Sequence, residues 1–219
     1  MESDNSMRPL LLGHRGARAS REFSENTLPC FELCLKHGCD GFEFDVRRAS
    51  DGVAVICHDS LARGLPIERT PARKLPLPAL ADVLRQFSSR AFLDIELKVG
   101  GLEPVVCAAL REYPPGHGYL VSSFLPEVLN ATHALDSSIP LGFLCDTRTR
   151  LPVWQELPVQ WVIPQLGLVD RKLVARLRSA GKKVMVWTAN QAADILRVAG
   201  WGVDAIISDE TELLVRSFP

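Results

Sequence analysis

The feature that most restricts the fold is a strand–helix rhythm running from residue 91 to the end of the chain. Short apolar runs at 91–98, 118–122, 140–144, Trp161–Pro164, 183–188 and 203–208 read as strands. Amphipathic stretches at Glu103–Glu112, Pro126–Leu135, 151–157, 170–180, 191–199 and onward from Glu210 read as helices, two of them stopped by Gly181 and Gly200. Upstream, residues 10–14 suit a buried strand and 27–37 a helix, with Thr27 as N-cap, Pro29 in the first turn and Gly38 as the stop. Leu80–Phe87 reads as one more helix. Repeated strand–helix units make a parallel sheet, open or closed into a barrel. No linker divides the chain, so residues 10–219 are expected to form one domain behind a loose polar tail, residues 1–9.

One stretch breaks the rhythm, from Gly41 to Asp59. Asp51-Gly52 between apolar alternations signals a hairpin, and so short a turn forces its two arms antiparallel. On the first arm Phe42, Phe44 and Val46 face one way, Glu43 and Asp45 the other. A turn at Asp51-Gly52 sets Glu43 roughly opposite His58. The nine strand segments exceed an eight-stranded barrel by one, so one hairpin arm is either an extra strand or an antiparallel barrel member. Residues 61–78, rich in Pro, Arg and Gly, read as a loop.

With 219 residues and 47% apolar content, the chain can bury a full core. A net charge of −1 gives a nucleic-acid partner no electrostatic support. The first nine residues lack the apolar segment of a signal peptide, and no apolar run reaches the roughly 20 residues of a membrane span. Six cysteines (Cys30, Cys34, Cys39, Cys57, Cys107, Cys145) without a C-x-x-C pair read as buried free thiols in a reducing cytoplasm.

Polar residues collect at the C-terminal ends of the first strands: His14 and Arg15, Glu43 and Asp45, His58, then Glu96 and Lys98. In a (β/α)8 barrel that face carries the active site. Glu96 and Lys98 share a face, with Asp94 one step deeper, while Ile95 and Leu97 take the other. Glu43, Asp45 and Glu96 together make an oxygen-rich site for Mg²⁺ or Ca²⁺. Arg15 and Lys98 beside it suit a phosphate that bridges metal and cations. His14 and His58 then suit a base and an acid on opposite sides of phosphorus.

The strings His14-Arg15-Gly16, Glu25-Asn26-Thr27, Glu43-Phe-Asp45-Val46, His58-Asp59 and Glu96-Leu-Lys98 resemble the glycerophosphodiester phosphodiesterase family. Trp187-Thr-Ala-Asn190 and the run from Gly202 to Asp209 are similar to its closing strands. The resemblance spans about residues 10–214 and implies a TIM-type (β/α)8 barrel and a divalent cation. It also implies hydrolysis of a small glycerophosphodiester to sn-glycerol 3-phosphate and an alcohol. By position, Glu43, Asp45 and Glu96 resemble the metal ligands, His14 and His58 the acid–base pair, and Arg15 and Lys98 the phosphate clamp. Asn26 would hydrogen-bond near the site. Trp187 and the Ser123-Phe124 pair either wall the pocket or belong to the core. Only 38 residues lead from His58 to Glu96, so the subdomain that family members commonly insert there looks reduced.

Two other readings remain open at this level. One is a lysophospholipase D or phospholipase C-like lipid phosphodiesterase, which would show an exposed apolar rim in residues 61–80. The other is a non-catalytic barrel that binds phosphate esters.

Overall fold

The computed structural model describes residues 8–218. In chain order its first half comprises β1 (Leu10–His14), α1 (Leu28–Lys36), β2 (Gly41–Arg48), β3 (Ala54–Ile56), β4 (Leu61–Ala62), β5 (Leu65–Pro66), α2 (Leu80–Phe87), β6 (Phe92–Leu97) and α3 (Glu103–Glu112). The second half adds β7 (Tyr119–Ser123), α4 (Pro126–Leu135), β8 (Leu141–Cys145), β9 (Trp161–Pro164), α5 (Arg171–Ser179), β10 (Lys183–Val186), α6 (Ala192–Ala199), β11 (Ala205–Ser208) and α7 (Thr211–Arg216). β1, β2 and β6 to β11 pair in parallel, and β1 closes the ring by pairing with both β11 and β2. The fold is a (β/α)8 barrel. The β8–β9 crossover replaces its α-helix with a 3₁₀ segment, Leu151–Glu156, because Pro152 and Pro158 bracket a stretch too short for a longer helix.

Strand alternation sorts the side chains into two cores. Leu12, Phe92, Leu120, Leu144, Ile163, Met185 and Ile207 fill the barrel, while Phe42, Phe44, Val46, Ile95 and Leu97 join the layer between strands and helices. The strand that carries two of the acids is pinned hardest. Phe42 of β2 stacks on Phe31 of α1 with ring centroids 4.3 Å apart, and Phe87 of α2 meets Phe42 edge-on at 5.1 Å. At the foot of β2 the neighbouring backbone comes so close that a Cβ on Gly41 would lie 1.9 Å from the Phe92 carbonyl oxygen. Only glycine allows β2 and β6 that approach.

The hairpin question is answered by register. Val46, Arg47 and Arg48 pair antiparallel with Ile56, Val55 and Ala54, so β2 is the barrel stave and β3 the extra strand, laid on its upper end. The ladder ends there, so Glu43 and His58 are not cross-strand partners as expected. His58 reaches the mouth from the loop beyond β3, because β2 outruns its partner by five residues at that end. The expected loop 61–78 contains the β4–β5 ribbon and two 3₁₀ turns, Ile67–Arg69 and Ala72–Lys74. These and α2 are the elements between His58 and β6.

Thr27 stands at the N-cap of α1, yet its hydroxyl donates to the Ser24 carbonyl and caps nothing. Of the expected tail, residues 1–7 lie outside the described residues, whereas Arg8 forks onto both Asp40 carboxylate oxygens at 2.6 and 2.9 Å. The described residues contain no helix long and apolar enough to cross a membrane.

All six cysteines are free, and only Cys57 is better than fully buried in its access to solvent. Burial pushes the Cys30 thiol up to about 11 and Cys145 to about 12. Titration of the native protein with a thiol reagent should therefore report one reactive cysteine and six after unfolding; several reacting natively would contradict this packing. Phe42→Ala should cost about 3–5 kcal/mol in chemical denaturation, since it empties the junction of α1, β2 and α2.

Candidate active site

The barrel mouth gathers the acids, histidines and cations that the sequence reading nominated. Glu43 and Asp45 leave the inner face of β2 and Glu96 that of β6, whose register sets Asp45 beside Glu96. One carboxylate oxygen from each of Glu43, Asp45 and Glu96 lies within 4.8 Å of the others, and all three residues are buried. Lys98 Nζ sits 2.6 Å from Glu96 Oε1 and 3.3 Å from Asp45 Oδ1. These are ion-pair contacts; Glu43 Oε1, Asp45 Oδ1 and Glu96 Oε1 accept no aligned hydrogen bond. Three buried acids whose oxygens lie this close together, with Glu43 Oε1 free of any partner, form a fitting cradle for a hard divalent cation.

The β1–α1 loop is shaped to serve this cluster. Arg15 and Asn26 both adopt left-handed backbone, at φ 53° and 58°. The turn at Arg15 aims its backbone N–H at Glu43 Oε2 (3.0 Å) and its guanidinium at Glu25 (2.8 Å) and Asp45 (3.3 Å). Asn26 donates to Asp45 Oδ2 at 2.8 Å and accepts from the Asp45 backbone N–H at 3.3 Å. His14 closes β1, with Nδ1 2.7 Å from Asp209 and Nε2 3.9 Å from Glu43. Across the mouth, His58 is half-buried, its Nδ1 2.8 Å from Asp59, and its carbonyl oxygen accepts from Arg47 Nε at 2.8 Å.

The resulting cavity, of about 140 Å³, has a polar side made by His14, Arg15, Glu43, His58, Glu96 and Lys98. Phe124, Leu144, Trp187 and Ile207 form an apolar side. Trp187 is thus a pocket wall, held edge-on to Phe124 at 5.6 Å and donating its indole N–H to the Ile163 carbonyl. Phe124 joins it, but Ser123 does not: its hydroxyl turns back to the Leu97 carbonyl. A larger cavity of about 250 Å³, lined by Arg148, Asp170, Lys172 and Arg176 among others, contains none of these acids or histidines.

Ionisation follows the crowding. Burial, reinforced by Asp45 and Glu96, drives the Glu43 carboxyl far above its usual range. Burial likewise lifts Glu96 to about 7, with Asp45 adding to it and Lys98 opposing. Asp94, one step deeper and accepting from Ser122 Oγ at 2.6 Å, also rises to about 7 through burial. Asp45 goes the other way: burial opposes its charge, but Lys98, Asn26, Arg15 and His58 together outweigh burial. Lys98 is held charged by Glu96 and Asp45 against the effect of its own burial.

The sequence matches the model of the glycerophosphoryl diester phosphodiesterase family over residues 14–112 and 116–213. The chain belongs to that family. It is a phosphoric diester hydrolase. A glycerophosphodiester phosphodiesterase of Caldanaerobacter subterraneus subsp. tengcongensis is 26% identical over 96% of this chain and 98% of its own length. A probable glycerophosphodiester phosphodiesterase 1 of Mycobacterium tuberculosis is 49% identical over 56% of this chain and 49% of its own. Among solved structures, an Oleispira antarctica phosphodiesterase in complex with the product sn-glycerol-3-phosphate superposes with a TM-score of 0.85, at 25% identity, covering 96% of each chain.

The enzyme's mouth also holds residues to which sequence reasoning gave no role. Asp209 and Asn190 lie just past β11 and β10, at the ends of the two strings that resemble the family's closing strands, and their position at strand ends was the available signal. Arg18, which bridges Asp209 (3.1 Å) and Glu25 (2.7 Å), had none, being one exposed arginine in a polar loop.

These shifts set a pH dependence for the metal-free enzyme. Folded Glu96 and Asp94 hold their protons up to about pH 7, whereas unfolded carboxyls release theirs near pH 4. Between those values the folded state binds more protons, so stability falls as pH rises. In chelator the melting temperature should drop from about pH 5 to 7.5. Added Mg²⁺ or Ca²⁺ should restore it most at the upper end. A melting temperature that climbs across this window would contradict the burial of these acids.

Proposed function

We propose that the enzyme hydrolyses small glycerophosphodiesters to sn-glycerol 3-phosphate and an alcohol, with a divalent cation and two histidines. The observation that carries this reading is the convergence of Glu43, Asp45 and Glu96 within 4.8 Å, in one cavity with Arg15, Lys98, His14 and His58. Glu43, Asp45 and Glu96 would hold the cation, Mg²⁺ or Ca²⁺, which when bound neutralises phosphate oxygens and steadies charge gathering on the phosphoryl group. Lys98, just past β6, and Arg15, just past β1, add fixed positive charge in the same cavity. One histidine takes a proton from the nucleophile, either the glycerol 2-hydroxyl or water, and the other gives a proton to the departing alcohol.

The apolar wall of Phe124, Leu144, Trp187 and Ile207 offers the carbon face of glycerol a dry surface. At about 140 Å³ the cavity is smaller than drug-sized pockets, so it supports a short polyol inside and an alcohol that projects out through the mouth. We take residues 10–219 as a single catalytic unit.

A second reading, a lysophospholipase D, draws on one observation. Leu61 and Leu65, on the ribbon just beyond His58, are 52% and 42% exposed. A side-by-side assay of glycerophosphocholine, glycerophosphoethanolamine and lysophosphatidylcholine, with and without chelator, decides between them. Preference for the two water-soluble esters is expected, and a strong preference for the lysolipid would overturn it. His14→Ala and His58→Ala should each lower turnover by at least roughly 10²-fold with metal affinity little changed. Glu43→Ala should instead weaken metal binding measured by calorimetry, and an unaltered titration would remove Glu43 from the ligand set.

A further inference from the structure

The two histidines of the mouth are held very differently through their second ring nitrogens. Behind His58 stands Asp59, its side chain 77% exposed, the next residue in the same loop. Behind His14 stands Asp209, 195 residues away in sequence, whose side chain is only 18% exposed. Asp209 is itself fixed from several sides. Asn190 Nδ2 donates to its Oδ2 at 2.6 Å, Asn190 Oδ1 accepts from its backbone N–H at 2.9 Å, and Arg18 donates to its Oδ1 at 3.1 Å. Ser208 Oγ holds the Asn190 oxygen in turn, at 3.0 Å. Burial opposes the charge on Asp209, but His14, Asn190 and Arg18 outweigh it and keep the carboxyl well below the usual range. An ionised carboxylate can only accept, so His14 Nδ1 must carry the proton between them.

We propose that Asp209, set by Asn190 and Arg18, is the positioning residue for His14, and that Asp59 gives His58 no comparable hold. The inference rests on the acid–base reading of the two histidines. With Nδ1–H bound to Asp209, the lone pair of Nε2 faces the cavity, where the Glu43 carboxyl lies 3.9 Å away, and Arg18 (3.5 Å from Nδ1) flanks the other side. His14 accepts and later returns a proton at Nε2, while Asp209 stays ionised throughout and steadies the imidazolium. Arg18 reaches further, since it also binds Glu25, which binds Arg15, so one chain of ion pairs ties the histidine to the arginine of the polar wall.

The experiment compares Asp209→Asn with Asp59→Asn by steady-state kinetics and by nitrogen-15 NMR of the histidine rings in chelator-treated protein. Asp209→Asn should lower kcat by at least roughly 10²-fold with KM within about threefold, and His14 should lose its fixed Nδ1–H tautomer. Asp59→Asn should keep both constants within about threefold. Equal losses in the two variants, near-normal turnover in Asp209→Asn, or an unchanged His14 tautomer would each overturn the proposal. If Asp209→Asn fails to fold by circular dichroism, Asp209→Glu takes its place. That change keeps the charge but displaces the acceptor, so the same fall in kcat at constant KM supports the proposal and unchanged turnover refutes it. An active His14→Ala would instead sink the acid–base reading itself. An inactive His14→Ala beside an unimpaired Asp209→Asn would sink the positioning role alone.

Discussion

Three carboxylates drawn out of water and into one another's reach are the constraint around which this molecule is built. Such a cluster repels itself, and burial strengthens that repulsion because the surroundings screen it poorly. The chain meets it in two ways. Lys98 and Arg15 bring positive charge to Asp45 and Glu96, while Glu43 and the deeper Asp94 lie among residues that favour their protonated forms. Among the orphaned oxygens of Glu43, Asp45 and Glu96, Glu43 Oε1 alone meets neither a hydrogen-bond donor nor a cation. In such a cluster, any cation bound between the acids would couple its binding to stability.

Holding such a cluster together demands a stiff frame. The barrel supplies it through the parallel β2–β6 ladder, which runs from Gly41 to Val46 and fixes the spacing of the acids directly. Behind the ladder, Phe31, Phe42, Phe44 and Phe87 lock α1 and α2 against the same strand. Bulk hydrophobic packing on one face of β2 thus anchors the polar constellation on its other face. The β1–α1 loop completes the frame with two left-handed residues that turn backbone and side-chain donors inward.

Much of this was legible along the chain. Alternation in Phe42-Glu43-Phe44-Asp45 assigned each side chain to the correct face, because a strand leaves no other choice. Glu96 and Lys98 followed by the same rule, as did Asp94 one step deeper. Where expectation and structure parted, the cause was a contact that local pattern does not encode. The turn at Asp51-Gly52 gave the hairpin's polarity but not how far its ladder would run, and the ladder stopped short of His58. Thr27 had the chemistry of a cap, yet Ser24 offered its hydroxyl a nearer acceptor.

The sequence by itself determined the repeating strand–helix units, the inward face of each strand and which polar groups stand at the strand ends. Those depend on neighbours one to four residues apart, and periodicity records them. Only the tertiary structure decided that β2 rather than β3 is the barrel stave, that Phe124 turns into the pocket while Ser123 turns away, and that Asp209 stands behind His14. The last of these follows from closing the ring, which brings the last strand against the first. A chain read in one dimension contains both residues of such a pair, but it does not contain the distance between them.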